Sequence, residues 1–226
     1  VLKPFIDLLV ESLNFFYRYT GNYGWSIILL TVTVRLLLLP LTIKQTKSMI
    51  EAPKIQAKIK ELQEKYGKDK KKLNEELLKF YQENKVDPFG GCLPLIIQLP
   101  IFWALFSILR KGGEIYKVMQ QANAGFYWLE SLTKAPSEIG FSGLLNSFGL
   151  AFPYFLLLIL TAVTTYLPTK LISSDPRQER ISLIMNVFLL YIAWILPAGL
   201  LLYWVTTNAL GLIQQYIQMK MVKEES

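Results

Sequence analysis

Runs of about twenty apolar residues, almost free of charge, recur along this chain, and each is long enough to cross the ~30 Å hydrocarbon core of a bilayer. In lipid every main-chain N–H and C=O must be satisfied within the protein, so repeated runs of this kind restrict the fold to packed helices. The composition agrees. Of the 226 residues 52% are hydrophobic and 18% charged, against ~25% charged in an ordinary soluble domain. A soluble globular fold is thereby excluded. The sequence holds 0 histidines, which removes Ser-His and Cys-His catalysis and every histidine-containing metal site. Its single cysteine, Cys92, has no internal disulfide partner and reads as a small buried hydrophobe. The chain opens at Val1 with neither a basic n-region nor a small-residue cleavage site, as expected of a processed or truncated start.

The order of elements follows from periodicity. Residues 1–20 place Ile6, Leu9, Val10, Leu13, Phe16 and Tyr17 on one helical face and Lys3, Asp7, Glu11, Asn14 and Arg18 on the other. That is the pattern of an amphipathic helix lying in the membrane interface. A first span is expected over 23–43. Residues 44–87 then carry 12 basic and 8 acidic side chains, so they lie in water. Within them Ile55, Ile59, Leu62 and Tyr66, and after a Gly67-Lys68-Asp69 turn Leu73, Leu77, Phe80 and Tyr81, describe two amphipathic helices folded into a hairpin. Their apolar stripes either bury each other or rest on the membrane or a partner.

A second span, 88–111, is broken by Gly90, Gly91, Pro94 and Pro100, so it belongs inside a bundle that re-satisfies the freed main-chain groups. A mixed loop follows over 112–148, with Phe126, Tyr127 and Trp128 as interfacial aromatics. A third span covers 149–171 and a polar turn 172–180. The last apolar block is interrupted by Pro197 and Gly199. It reads as two helices, 181–196 and 198–218, whose shares of the apolar block from Ile181 to Ile213 are short, about 16 residues or ~24 Å each; one kinked helix is the alternative. Residues 219–226 form a tail.

The sequence thus describes an all-α membrane protein of five transmembrane helices, with an N-terminal interfacial helix and a cytoplasmic helical hairpin. Hairpin, turn region and tail carry 17 basic residues, against six on the other side: Lys3, Arg18, Arg110, Lys111, Lys117 and Lys134. Positive charge is retained inside, which places the N-terminus outside and the C-terminus in the cytoplasm. The net charge of +7 therefore marks a solvated domain on a membrane body, not a nucleic-acid surface.

One residue stands out. Arg35 lies in mid-span, in Thr31-Val32-Thr33-Val34-Arg35-Leu36, where an arginine costs at least ~2.5 kcal/mol. No acidic residue lies within any span to pair with it. It therefore faces a hydrated cavity, with polar partners available at Thr31, Gln98, Ser107, Thr161, Thr164, Thr165, Asn186, Thr206, Thr207 and Asn208. It either marks a substrate path or ties helices together through carbonyls and amides. Gln98 taken alone reads as interhelical glue, and Tyr203 and Trp204 as lipid- or core-facing aromatics.

Function classes fall away in turn. An intramembrane serine protease needs a base and an aspartyl protease two acids, and the spans hold neither, so no enzymatic chemistry, catalytic residue, metal or cofactor is expected. Secondary transporters are built from repeated halves with ionisable relays, which five acid-free spans do not provide. One arginine makes a channel ring only in an oligomer. What remains is a monomeric bundle with a hydrated, positive pocket that handles other polypeptides as they enter the bilayer.

Three sequence stretches carry a resemblance. The first is Val34-Arg35 with Leu39-Pro40-Leu41. The second runs from Asp87-Pro88-Phe89-Gly90-Gly91-Cys92-Leu93-Pro94 to Gln98-Leu99-Pro100-Ile101. The third is Pro197-Ala198-Gly199-Leu200 with Tyr203-Trp204 and Gln214-Gln215. With these the chain resembles the YidC-type membrane protein insertases of bacteria over essentially its whole length. The resemblance implies a five-helix core around a groove open to the cytoplasm and to lipid, closed on the outer side. It implies an insertase and chaperone of the bacterial inner membrane, acting alone or with the Sec translocon on nascent membrane proteins. Arg35 is then the groove residue that attracts acids in a substrate's outer tail. Thr31, Gln98 and Trp204 line the groove by the same resemblance, with Thr161 and Thr164 beside them. The hairpin would meet substrates and targeting factors, including components of the signal recognition particle. Ribosome attachment belongs to members with long basic tails, whereas Lys220 to Ser226 is short and charge-balanced.

Overall fold

The computed structural model describes residues 3–43, 58–59, 61–62, 64–67, 69–83, 93–121, 125–172 and 176–224. It is helical throughout: α1 Lys3–Thr20, α2 Tyr23–Leu37, α3 Lys70–Glu83, α4 Leu93–Leu109, α5 Glu114–Gln121, α6 Pro136–Asn146, α7 Phe148–Ile172, α8 Pro176–Ile195 and α9 Ala198–Glu224. By length and composition one helix among the described residues, Phe148–Pro168, suffices to cross a membrane, while Tyr23–Leu37 and Gln98–Leu109 are shorter apolar helices. In α9 the apolar run is diluted by Thr206, Thr207, Asn208, Gln214 and Gln215.

Helix α1 buries Leu9 and Leu13 and lays Ile6, Val10, Phe16 and Tyr17 against the same core, the face the periodicity selects. At Gly21 the chain takes a positive φ of 63°, which glycine adopts without strain. Asn22 then caps α2, its Oδ1 accepting from the N–H groups of Gly24 at 2.8 Å and Trp25 at 3.4 Å. The helix reaches Leu38, and helical turns resume through Ile43. Pro40 has no N–H for the carbonyl four residues back, which is where the regular helix stops.

Several expectations are corrected. Segment 112–148, read as a mixed loop, holds the helices α5 and α6. Ile115 and Met119, one turn apart, bury the inner face of α5, and Pro136 opens α6 in the first helical turn, which tolerates proline. Of the three aromatics assigned to the interface, Tyr127 and Trp128 are exposed, but Phe126 is buried. The turn over 172–180 is shorter than expected, because Pro176 starts α8 rather than blocking it. The last two helices are also not short. They have 20 and 27 residues, about 30 and 40 Å, because α8 takes in the polar stretch from Pro176 to Arg180 and α9 runs on to Glu224. They are separate helices, broken at Leu196–Pro197, not one kinked rod.

Much of the expected hairpin, including Thr46 to Ala57 and Lys85 to Asp87, lies outside the described residues, as does Cys92. In the described part Asp69 caps α3, accepting from the N–H groups of Lys71 at 3.1 Å and Lys72 at 3.2 Å. The ammonium groups of Lys65 and Lys72 sit over the Tyr66 ring.

Residues 125–135, ahead of α6, pack against the starts of α2 and α9 and against α7. The N–H groups of Ala198 and Gly199, orphans of the first turn of α9, donate to the carbonyls of Lys134 at 2.9 Å and Leu132 at 2.7 Å. The fully buried Tyr154 donates its hydroxyl to the Ser131 carbonyl at 2.9 Å and accepts from the Ser131 N–H at 3.0 Å. Asn22 Nδ2 donates to the Gly125 carbonyl at 3.1 Å. Beside it the Phe126 ring occupies the space a Cβ on Gly24 would need. Gly24→Leu is therefore expected to lower the thermal unfolding midpoint in detergent, by an overpacking cost of about 1–3 kcal/mol. An unchanged midpoint would show that Phe126 moves freely aside.

Candidate functional site

Arg35 occupies the last turn of α2, where a cation is favoured by the carbonyl-rich end of the helix. Its Nη2 donates to the main-chain carbonyl of Thr207 on α9 at 2.8 Å. Its Nε is buried and has no hydrogen-bond partner among the described residues. No acidic side chain pairs with it among them either; the ion pairs found are Lys58–Glu61, Lys111–Glu138 and Lys134–Glu130. Helix α9 presents Gly211 beside the guanidinium. A methyl carbon built on Gly211 would stand 3.3 Å from Nη2.

The polar residues singled out by sequence distribute along α9. Gln98 on α4 donates its amide to the Tyr203 hydroxyl, and Trp204 meets Phe102 of α4 edge to face, with 5.5 Å between ring centroids. Asn208 bridges to α7, its Nδ2 donating to Thr165 Oγ1 at 3.0 Å and to Thr164 Oγ1 at 3.4 Å. Thr31 and Thr161 are buried, but each hydroxyl donates to the carbonyl four residues back in its own helix, Ile27 at 2.6 Å and Leu157 at 2.8 Å. The structure thus links Gln98 to Tyr203, Arg35 to Thr207 and Thr164 to Asn208. Thr31 and Thr161 are held by their own helices.

Two members of this arrangement escaped the sequence reading. By sequence Tyr203 reads as an ordinary lipid- or core-facing aromatic, and Gly211 carries no chemistry to notice. A signal was present. Tyr203, Thr207, Gly211 and Gln215 recur every fourth residue, which puts them on one helix face. The Arg35 partner is the Thr207 carbonyl rather than its hydroxyl, and no side-chain pattern announces a main-chain acceptor.

These features define, among the described residues, an all-helical bundle of apolar helices with a half-buried cation between α2 and α9 and amide and hydroxyl groups arrayed beside it. Residues 15–225 match the family model described as 60Kd inner membrane protein. A relative named Membrane protein insertase YidC from Caldanaerobacter subterraneus subsp. tengcongensis is 40% identical over 95% of this chain and 94% of its own length. One of the same name from Fusobacterium nucleatum is 35% identical over 97% and 96%. A third, from Endomicrobium trichonymphae, is 39% identical over 92% of this chain but 38% of its own. Among solved structures, one titled active YidC insertase, with the first transmembrane domain resolved, aligns at a TM-score of 0.69 and 37% identity, over 93% of this chain and 45% of that one. The chain belongs to the 60Kd inner membrane protein family, whose matched relatives carry the name YidC.

Proposed function

We propose that this chain is a membrane protein insertase of a bacterial inner membrane, moving nascent membrane proteins into the bilayer through a groove centred on Arg35. The observation that carries the reading is the guanidinium itself. It sits inside an apolar bundle, bonded to one carbonyl and, among the described residues, neutralised by no acid. An intramembrane charge marks a pathway or substrate site by default. The names of the relatives support the same activity.

In this reading α2, α4, α7, α8 and α9 are the transmembrane helices, α1 lies in the interface, and α3 belongs to the cytoplasmic hairpin. The N-terminus is outside and the C-terminus inside. The loop that caps α9 through Leu132 and Lys134 closes the outer end, which leaves the cytoplasmic side as the entrance. A hydrophilic tail would enter beside Trp204, Gln98, Thr31, Thr161 and Thr164, attracted by Arg35, without crossing dry hydrocarbon, so its desolvation barrier falls. Burial of the substrate's own apolar span then drives release sideways into lipid. No cofactor takes part. The protein acts as a monomer, alone or with the Sec translocon, and as a chaperone for its substrates. Components of the signal recognition particle would meet it at the hairpin.

The test is reconstitution of the purified chain into vesicles with a small single-span substrate bearing an acidic tail. Protection of the tail from external protease is expected to rise several-fold over protein-free vesicles. Equal protection in both would refute insertase activity.

A further inference from the structure

Beyond Arg35, α9 carries three glutamines near its cytoplasmic end, and they are not alike. Gln214 holds helices together: its Nε2 donates to Thr42 Oγ1 at 2.9 Å, and Thr42 Oγ1 lies 3.2 Å from Gln214 Oε1. Gln215 and Gln218 are each only 6% exposed, yet Gln215 Nε2 and both amide atoms of Gln218 are buried without a hydrogen-bond partner among the described residues. A buried amide left unpaired is costly, and native proteins keep few of them. Packing does not explain two on one helix turn. A leucine at either position would fill the space without the cost.

Their direction is informative. At about 100° per residue, Gln215 and Gln218 lie about 60° apart and straddle the direction of Gly211, the residue against which Arg35 rests. They stand about 6 and 10 Å beyond it along the helix, between Arg35 and the cytoplasmic end. A primary amide offers a donor and an acceptor, the same two groups that every peptide unit of an extended chain presents.

We propose that Gln215 and Gln218 form an amide site that holds the main chain of a polypeptide entering the groove, whatever its side chains. This rests on the insertase reading. It divides the work: Arg35 reads tail charge, whereas the two amides replace the water lost by tail peptide groups.

The experiment uses the full chain in vesicles with two substrates, one with an acidic tail and one with its glutamates changed to glutamine. The double variant Gln215→Leu/Gln218→Leu is expected to lower insertion of both by the same factor, about tenfold for two lost hydrogen bonds. Its thermal midpoint should equal or exceed that of the unaltered chain, whereas Gln214→Leu, which breaks a real interhelical bond, should lower it. Unchanged insertion by the double variant overturns the amide site. So does a loss confined to the acidic tail, or a lowered midpoint, since then the amides serve Arg35 or the helix packing. If the unaltered chain inserts neither substrate, the insertase reading fails and takes the amide site with it.

Discussion

Replacing Arg35 by alanine is expected to reduce insertion of an acidic-tailed substrate at least tenfold, while Arg35→Lys keeps most of it and Arg35→Glu loses more than alanine. The reason lies in the contacts. Among the described residues Arg35 makes one hydrogen bond, through Nη2 to the Thr207 carbonyl, not a bidentate fork, so a lysine ammonium can supply both the charge and the one donor. Two unit charges about 4 Å apart attract with about 4 kcal/mol at the effective dielectric near a protein surface, more than a tenfold effect requires. The loss should shrink when the tail acids are neutralised. A scaffold arginine predicts otherwise: lysine, a point charge lacking the planar fork, would fail like alanine and tail charge would not matter. Insertion by the four chains at matched expression separates the two.

The second large effect concerns topology. With Cys92 changed to serine, a lone cysteine at Gln120 on α5 should react with an impermeant thiol reagent outside intact cells, and one at Lys71 on α3 only after the membrane is opened. Both positions are exposed, so access alone does not decide the result. Reaction of both from outside would overturn the five-span arrangement.

How far the sequence reveals this arrangement depends on the residue. Arg35 and Gln98 are conspicuous because charge and amide are expensive in an apolar run, whatever the fold. The inner face of α1 is legible too, since Leu9 and Leu13 repeat at helical spacing and both are buried. Phe126 is not. An aromatic in a loop between spans looks interfacial, and only the approach of Gly24, distant in sequence, makes it a buried plug. Pro176 misleads for a local reason: proline stops a helix from within but suits its first turn. Helix α5 is hard to see because its inward face rests on a single pair, Ile115 and Met119. Tyr203 gains its meaning from Gln98 on another helix. The acceptor for Arg35 is a main-chain carbonyl, identical at every residue, and only the crossing of α2 and α9 selects it.

The most direct measurement asks where a tail lies while it is being inserted. Trp204 and Ile213 are nine residues apart on α9, about 180° around the helix. Trp204 meets α4, whereas Ile213 is 57% exposed on the outside of the bundle. A photoreactive side chain is placed at one position or the other, and a substrate is halted partway by a bulky group on its tail. Cross-links between α9 and the hydrophilic tail are expected from position 204 and not from 213. Cross-links from 213 with none from 204 would put the tail outside the bundle and contradict a groove centred on Arg35.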